Sequence, residues 1–213
     1  MANIIRLGKT DLNGILIVEK DSFIPPLQAK GEKILKRLET NHTYLGTFIH
    51  DKLIGTLAFR YDHFPKDFSQ IPTTFEDFSN RPNVINADSM FIYSFGILPS
   101  HRSLKNALDL IRAGFEIGRR EGARYVIGDG RCPSYNGSLQ FEQEKIIQNS
   151  RFKESLDKHI QKETIPSEKE LSLDPVLAFY LKFIKLRPLL ISPNFIPEDL
   201  PAGGKRVILY KQI

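Results

Sequence analysis

The chain has 213 residues, of which 41% are hydrophobic and 26% are charged, a composition typical of a globular domain that can bury a core. Its apolar runs fall short of the roughly 18–20 residues that a membrane span needs, and its one cysteine excludes an internal disulfide. The formal net charge is +5, but basic residues are interspersed with acidic ones and no nucleic-acid motif is present.

The remaining composition indicates where the protein works. The five histidines and Cys132 lack the spacing of metal ligands. The N-terminus has no long apolar stretch behind a basic start, so it does not resemble a signal peptide. We therefore expect a cytoplasmic protein with no metal, no membrane span and no nucleic-acid partner. Whether it forms a homodimer stays open.

The first third of the chain predicts a strand, two helices and a hairpin. Residues 3–8 suggest a short strand. A helix start at Thr10-Asp11 precedes apolar residues at helical spacing, and a second helix is expected over 27–39 after two prolines. The segments 43–50 and 53–64, rich in β-branched and aromatic residues, predict a hairpin turning at Asp51-Lys52.

The middle of the chain predicts a strand, a basic turn, a helix and a second strand. Residues 64–87 have no clear period and suggest a surface excursion. Residues 89–98 are apolar on both faces, as in a central strand. Polar and basic residues at 100–103 open a helix whose free amides and dipole attract anions, phosphates above all. One stripe of that helix is apolar: Leu104, Ala107, Leu108, Ile111, Phe115 and Gly118.

The rest of the chain continues the alternation of helices and strands. Residues 137–172 are charged and helical in pattern and suggest an insertion. A helix begins with Asp174 as its N-cap and Pro175 at its first position, and two strands follow, at 188–192 and 206–213. The whole order predicts an α/β fold with a mixed, mainly antiparallel central sheet flanked by helices.

This order resembles the GNAT superfamily of acyl-CoA N-acyltransferases. The run ILPSHR at 97–102 resembles that family's V-x-P-x-x-R, and AFYLKFIKLRPL at 178–189 resembles its A-x-x-x-Y-x-x-x-GF junction. GDGRCPSYN followed by DPVLAFYLK is similar to one GNAT branch. The resemblance covers most of the chain, best over 89–136 and 172–212. It implies a single GNAT-like domain, residues 1–213, with a helical insertion at 137–172.

The resemblance also implies a site for acetyl-CoA or another acyl-CoA. Backbone groups near Phe95 and Ile97 would hold the pantetheine arm. The family's pyrophosphate loop, R/Q-x-x-G-x-G/A, corresponds to six residues: Arg102, Ser103, Leu104, Lys105, Asn106 and Ala107. Arg102 and Ala107 fit this pattern, but Lys105, followed by Asn106, stands where glycine is expected. Either Lys105 supplies charge instead of a close backbone approach, helped by His101 and Arg102, or these side chains obstruct the loop.

The implied chemistry is direct transfer of the acyl group to a primary amine. Tyr180 falls on the family's thiolate-facing tyrosine and is the candidate general acid, although a core role among apolar neighbours is an alternative. Asp88 and Tyr93 are weaker candidates for the base. Cys132 has no histidine near it in sequence and is a poor nucleophile. Four residues at the open end of the fifth strand and in the loop that continues it either bind substrate or only hold that loop: Asp129, Arg131, Tyr135 and Asn136.

Two alternatives stay open. The chain could be a GNAT-shaped binding or regulatory module that has lost coenzyme A chemistry, as the Lys105-Asn106 pair suggests. It could also take its acyl group from an acyl carrier protein, whose acidic surface suits a basic chain. The acceptor, a small-molecule or peptide amine, carries no recognisable motif.

Overall fold

The computed structural model describes residues 3–136 and 143–213. Within these residues the order of strands and helices follows the prediction. The strands are β1 (Asn3–Arg6), β2 (Thr43–Ile49), β3 (Lys52–Asp62), β4 (Ser89–Ile97), β5 (Tyr125–Arg131), β6 (Arg187–Ser192) and β7 (Arg206–Gln212). The helices are α1 (Leu12–Ser22), α2 (Gly31–Glu39), α3 (Phe75–Asn80), α4 (Leu104–Arg120), α5 (Gln143–Gln161), α6 (Glu168–Leu171) and α7 (Pro175–Phe179).

The described strands form a seven-stranded sheet in the order β1-β2-β3-β4-β5-β7-β6. The pairs β1–β2, β2–β3, β3–β4 and β6–β7 are antiparallel. A mixed α/β fold with helices on the sheet is therefore confirmed. The chain also divides into two compact units. The first comprises Met1–Phe64, Phe78–Val126 and Gln212–Ile213, and the second comprises Pro65–Asp77 and Ile127–Lys211.

In the first unit, α4 packs closely because glycine replaces larger residues on its buried face. A Cβ at Gly114 would lie 2.5 Å from the Leu57 side chain on β3, so a larger residue there would force that side chain or the helix to shift. Of the predicted apolar stripe, Ile111, Phe115 and Gly118 are buried, together with Leu110 and Gly114, whereas Leu104 is 47% exposed. The packing face therefore begins well inside the helix, and its first turn is left to solvent.

Two predictions were wrong: the residues of the β2–β3 turn and the description of 64–87 as a surface excursion. The β2–β3 turn consists of His50 and Asp51, both with positive φ (47° and 60°), and Lys52 already pairs with Ile49. This conformation suits the twist of a two-residue hairpin. The 64–87 segment is not purely a surface excursion, because it contains α3, whose Phe78 is fully buried.

In the second unit, α7 begins as the sequence predicts. Asp174 Oδ1 accepts hydrogen bonds from the amides of Val176 (2.9 Å) and Leu177 (3.1 Å), and Pro175 occupies the first position. The predicted insertion is helical in its described part, as α5 and α6; residues 137–142 lie outside the described residues. No helix among the described residues is long and apolar enough to cross a membrane.

Candidate active site

The turn between β4 and α4 is held by its own hydrogen bonds. Ser103 caps α4, its hydroxyl accepting a hydrogen bond from the Asn106 amide (3.1 Å), and the Asn106 side chain donates to the His101 carbonyl (2.8 Å). The amides of Leu104 and Lys105 lie in the first helical turn, where no preceding helical carbonyl can accept from them. The turn therefore presents amide donors and the positive end of the helix dipole to solvent.

The two cations of this turn play different parts. Arg102 Nε donates to the Ile97 carbonyl (3.2 Å) and its Nη2 lies 3.5 Å from the Ser22 carbonyl, so Arg102 braces the end of β4. Lys105 pairs with Asp109 one turn along α4 and its side chain is 76% exposed. Such an exposed pair contributes little, so Lys105 can exchange Asp109 for a bound anion. Its side chain runs along α4 rather than across the turn.

Strand β4 carries a bulge at Tyr93. Ala58 of β3 pairs with Ser94, and the next residue, Phe59, pairs with Ile92, leaving Tyr93 as the extra residue. A bulge sets two consecutive residues against one partner and changes the alternation of side chains along the strand. Beyond the bulge the regular pairing resumes, with Phe95 opposite Leu57 and Ile97 opposite Gly55.

Tyr93 belongs to a buried chain of hydrogen bonds. His42 Nε2 lies 2.9 Å from the Arg81 carbonyl, and because a carbonyl only accepts, Nε2 carries the proton. Burial lowers the pKa of His42 to about 4, so Nδ1 is free to accept the hydroxyl proton of Tyr93 at 3.0 Å. Tyr44 joins the chain through hydrogen bonds to Tyr93 and to Arg37.

Arg37 holds this cluster on the α2 side. Its guanidinium lies 4.6 Å from the centre of the Tyr93 ring, donates from Nη2 to Ser79 Oγ (2.7 Å) and from Nε to Asn80 Oδ1 (3.1 Å). Only 3% of Arg37 is exposed. Burial raises the pKa of Tyr93 well above its ordinary value, so this tyrosine is a hydrogen-bonding group rather than a base.

Glu19 is the buried acid of the same region. It lies on the inner face of α1 with Ile15 and Val18 and is 7% exposed. Its carboxylate accepts the Ala29 amide (2.7 Å) and a side-chain hydrogen bond from Ser94. Burial raises the pKa of Glu19, and the Ala29 amide and the charge of Arg37 offset this only in part.

Ser22, one turn further along α1, lies over Gly96 of β4. A Cβ at Gly96 would come within 2.9 Å of the Ser22 hydroxyl. That hydroxyl is buried without a hydrogen-bond partner among the described residues. Buried polar groups are rarely left unpaired, so this hydroxyl is an unusual feature of the face that α1 packs on β4.

Asp88, the other base candidate, serves as a local anchor. Its carboxylate accepts the Phe64 amide (2.6 Å), the Ser89 hydroxyl (3.2 Å) and Arg124 Nη2 (3.2 Å). Burial acts to raise the pKa of Asp88, but these donors together lower it below its ordinary value. A carboxylate stabilised in this way is a weak proton acceptor.

In the second unit, Asp129 and Arg131 enter a network of two guanidinium and two carboxylate groups. Arg131 forms a bidentate pair with Asp199 (2.7 and 2.6 Å). Arg206 bonds to Asp199 (2.8 Å) and to Asp129 (3.2 Å). Asp199 is fully buried, and the Asp129 side chain is 12% exposed.

Asp129 is the weakly paired acid of this network. Burial raises its pKa to about 7, and the charge and hydrogen bond of Arg206 offset this only in part. The Asp129 carboxylate also acts on Tyr180. Burial is the main reason that the pKa of Tyr180 is raised, and the negative charge of Asp129 raises it further. Tyr180 opens a π-helical turn (Tyr180–Ile184), and its carbonyl accepts hydrogen bonds from the amides of Lys185 and Leu186 (3.1 Å for Leu186). Such turns are frequent at functional sites.

The loop after β5 is fixed by polar contacts of its own. The Tyr135 hydroxyl donates to Asp157 (2.6 Å), and Lys205 Nζ lies 3.9 Å from the centre of its ring. The Asn136 side chain donates to the Leu200 carbonyl, and its amide to the Pro201 carbonyl (3.0 Å). Tyr135 and Asn136 are therefore already engaged, which favours a structural role.

Cys132 lies in the same loop and is fully buried. Its Sγ lies 3.6 Å from the Gly130 carbonyl. Burial raises the pKa of the thiol, and the charge of Asp174 raises it further. A thiol in this state is inert as a nucleophile.

The structure thus brings the predicted residues together in groups within each unit: the β4–α4 turn in the first, and Asp129, Arg131 and Tyr180 in the second. Sequence reasoning missed Glu19, His42, Asp199 and Arg206. Glu19 could have been found, because an acid at the position after Val18 falls on the buried stripe of α1, where charge is rare. The other three carry no local signal.

Comparison with known proteins shows which fold this is. The sequence matches no family model and no curated protein. The chain is similar in structure to the GNAT-like decarboxylase GphF in complex with isobutyryl-CoA (TM-score 0.76, 19% identity, 99% of this chain and 98% of that one). It is also similar to the loading GNATL domain of CurA from Lyngbya majuscula (TM-score 0.70, 16% identity, 100% and 98%). A third similar structure is the ribosomal-protein-S18-alanine N-acetyltransferase from Escherichia coli (TM-score 0.59, 10% identity, 100% and 94%).

These similarities extend over nearly the whole chain at low identity. The chain therefore has the GNAT fold, as the motif order predicts. The activities of the three proteins differ, so the fold alone leaves the reaction to be argued from the residues.

Proposed function

We propose that this protein is an acyltransferase that moves an acetyl or other acyl group from an acyl-CoA thioester to a primary amine by direct transfer. The observation that carries the proposal is the β4–α4 turn. Within a GNAT fold, a capped helix start presents unpaired amides beside Arg102 and Lys105. Amide donors and a helix dipole favour phosphate groups.

The residues of the turn fit a coenzyme A phosphate even without the expected glycines. The amides of Leu104 and Lys105 would donate to phosphate oxygens, and Lys105 would exchange its exposed partner Asp109 for the ligand. Phe95 and Ile97 are the proposed backbone partners of the pantetheine arm. Tyr180 is the proposed acid for the leaving thiolate, the role that the family resemblance implies for this position, and its raised pKa keeps its proton in place at neutral pH.

Isothermal titration with acetyl-CoA tests the proposal. We expect binding that weakens about tenfold in Lys105→Gln, because one phosphate partner is lost, and that stays unchanged in Arg120→Gln at the exposed far end of α4. No binding at millimolar acetyl-CoA would contradict the acyltransferase and favour a GNAT-shaped module without coenzyme A chemistry. A large gain in affinity on changing Lys105 and Asn106 to glycine would show that these side chains obstruct the turn.

Tyr180→Phe tests the proposed acid. The variant keeps the ring and loses only the hydroxyl, so we expect acetyl-CoA binding within twofold of wild type and a turnover at least tenfold lower. An unchanged turnover would leave Tyr180 with a packing role.

A second candidate is decarboxylation of a malonyl-type CoA thioester. It is favoured by the TM-score of 0.76 with the GNAT-like decarboxylase, against 0.59 with the N-acetyltransferase. In this reaction the bond to the carboxylate carbon breaks, its electron pair forms an enolate, and the enolate takes up a proton. Mass spectrometry of malonyl-CoA incubated with the protein decides between the two, because only a decarboxylase forms acetyl-CoA and carbon dioxide without an amine.

The third candidate reaction uses an acyl carrier protein, either as the donor of the acyl group or as the partner that supplies a thiol. The similarity to a loading domain favours it, and the net charge of +5 suits an acidic partner. Comparing acetyl-CoA with an acetylated carrier protein as donor, at low and at 0.5 M salt, would test it. A rate that is independent of salt would argue against electrostatic docking.

A further inference from the structure

The inner face of α1 carries a polar pair at positions that ordinarily hold core residues. Glu19 and Ser22 follow Ile15 and Val18 on the stripe that turns toward the sheet. Removing a carboxylate from water is costly unless it is paired, and the hydrogen bonds that Glu19 accepts among the described residues come from the Ala29 amide and the Ser94 side chain. A fold that keeps such a group usually uses it.

The β4 bulge explains how Glu19 finds its partner. With Tyr93 as the extra residue, the side-chain alternation of β4 shifts, so Tyr93 contacts Arg37 of α2 while its neighbour Ser94 reaches Glu19 of α1. Two consecutive residues thus serve the same helical layer, which a regular strand does not allow. Ser94 is only partly buried, so it is the more exposed residue of the two.

We propose that Ser94 and Glu19 together take the proton from the acceptor amine, with Ser94 contacting the amine and Glu19 behind it. The proposal rests on the acyltransferase function given above. The lone pair of the amine nitrogen forms the C–N bond at the thioester carbonyl. The N–H proton passes to the Ser94 oxygen while the Ser94 proton passes to the Glu19 carboxylate. The C–S bond breaks with its electron pair on sulfur, and the thiolate leaves.

The charged and titratable groups around Glu19 suit this role. The charge of Arg37 from α2 acts on Glu19, and Tyr44 from β2 and Tyr93 from β4 stay neutral because burial raises their pKa values. Burial likewise raises the pKa of Glu19 toward the range in which a base exchanges protons at neutral pH.

The experiment compares wild type with Glu19→Gln, which retains an oxygen for the Ala29 amide. Acetyl-CoA affinity is measured by calorimetry, and thiol release is measured with acetyl-CoA and two probe amines, n-butylamine and spermidine. We expect affinity within twofold of wild type, kcat at least 100-fold lower, and loss of the acid limb of the pH–rate profile. Ser94→Ala should lose about tenfold in kcat and Ser94→Thr should recover it.

Asp21→Asn is the matched control, because Asp21 is exposed on the same helix; it should leave kcat unchanged. Turnover by Glu19→Gln equal to wild type would overturn this inference and leave the acyltransferase standing. Failure of the wild type to bind acetyl-CoA would instead overturn the proposed function. Binding without thiol release with either amine would overturn the Ser94–Glu19 relay while preserving coenzyme A binding.

Discussion

Two buried carboxylates, Asp199 in the second unit and Glu19 in the first, are held in opposite ways. Burial acts to raise the pKa of Asp199, but the hydrogen bonds of Arg131 and the charge of Arg206 lower it below its ordinary value. Glu19 is bonded to an amide and a hydroxyl, and burial prevails. A carboxylate surrounded by guanidinium groups is fixed as an anion and serves as an anchor. One with mainly neutral donors can still exchange a proton.

Asp199→Asn is the strongest test of this contrast between Asp199 and Glu19. The variant leaves Arg131 and Arg206 with an uncharged partner in a buried site, and breaking such a pair costs about 3–5 kcal/mol. Urea unfolding should show this loss, whereas Glu198→Gln, at the exposed neighbouring position, should stay within about 0.5 kcal/mol of wild type. A cost below about 1 kcal/mol for Asp199→Asn would show that the network is not an anchor.

Asp129 lies between these extremes, with Arg206 as its guanidinium partner and a pKa of about 7. Its pKa is raised on folding from 3.8, so its contribution to stability is complete below about pH 4 and is lost as the pH rises through 7. Asp129→Asn mimics the protonated form. Between about pH 4 and pH 7, we expect the free energy of unfolding of Asp129→Asn to increase relative to that of wild type by up to about 4 kcal/mol.

Thermal unfolding of wild type and Asp129→Asn at half-unit steps from pH 4 to 8 measures the effect. A difference that stays constant with pH would mean that Asp129 is ionised throughout, as Asp199 is, and would remove the contrast between them. A parallel Asp67→Asn series is a suitable control, because Asp67 is exposed and serves only as a local helix cap.

A third prediction concerns His42, which the buried hydrogen bonds of the first unit hold without a charge. Burial lowers its pKa from 6.5 to about 4. The unfolded chain therefore binds the proton first, and stability falls as the pH drops from about 6.5 to 4, by up to about 3 kcal/mol. His42→Gln should remove this part of the pH dependence in urea unfolding, and His50→Gln, in the exposed hairpin turn, should not. If both variants keep the wild-type slope, His42 is not held neutral.

The sequence predicts what depends on neighbouring residues. The helix start at Asp174-Pro175 and the glycine-bearing face of α4 follow from local pattern, and the ordered motifs around 97–102 and 178–189 point to the GNAT fold. It cannot predict contacts that folding brings together from afar. Arg131 and Asp199 are 68 residues apart, and His42 and Tyr93 are 51 apart. Neither pair has a signal that either segment alone could carry.

The same limit explains the β4–α4 turn. The sequence suggests that Lys105 either replaces a glycine by charge or blocks the turn. The structure adds that its side chain lies along α4 beside Asp109. The spacing of Lys105 and Asp109 as an i,i+4 pair can be seen in the sequence. Whether a ligand can replace Asp109 as the partner of Lys105 cannot, because that depends on how exposed the first turn of α4 is.

The smallest expected effect concerns this exposed turn, where neither buried charge nor guanidinium pairing operates. Ser103→Ala removes the acceptor of the Asn106 amide and should cost about 1 kcal/mol of stability in urea unfolding. Ser103→Asp should restore the cap. Ser100→Ala, which removes only the contact with the His101 ring, should cost less than about 0.5 kcal/mol. Because the Asn106 amide is freed in Ser103→Ala, acetyl-CoA affinity should not fall with stability. A parallel fall in both would show that Ser103 itself contacts the ligand.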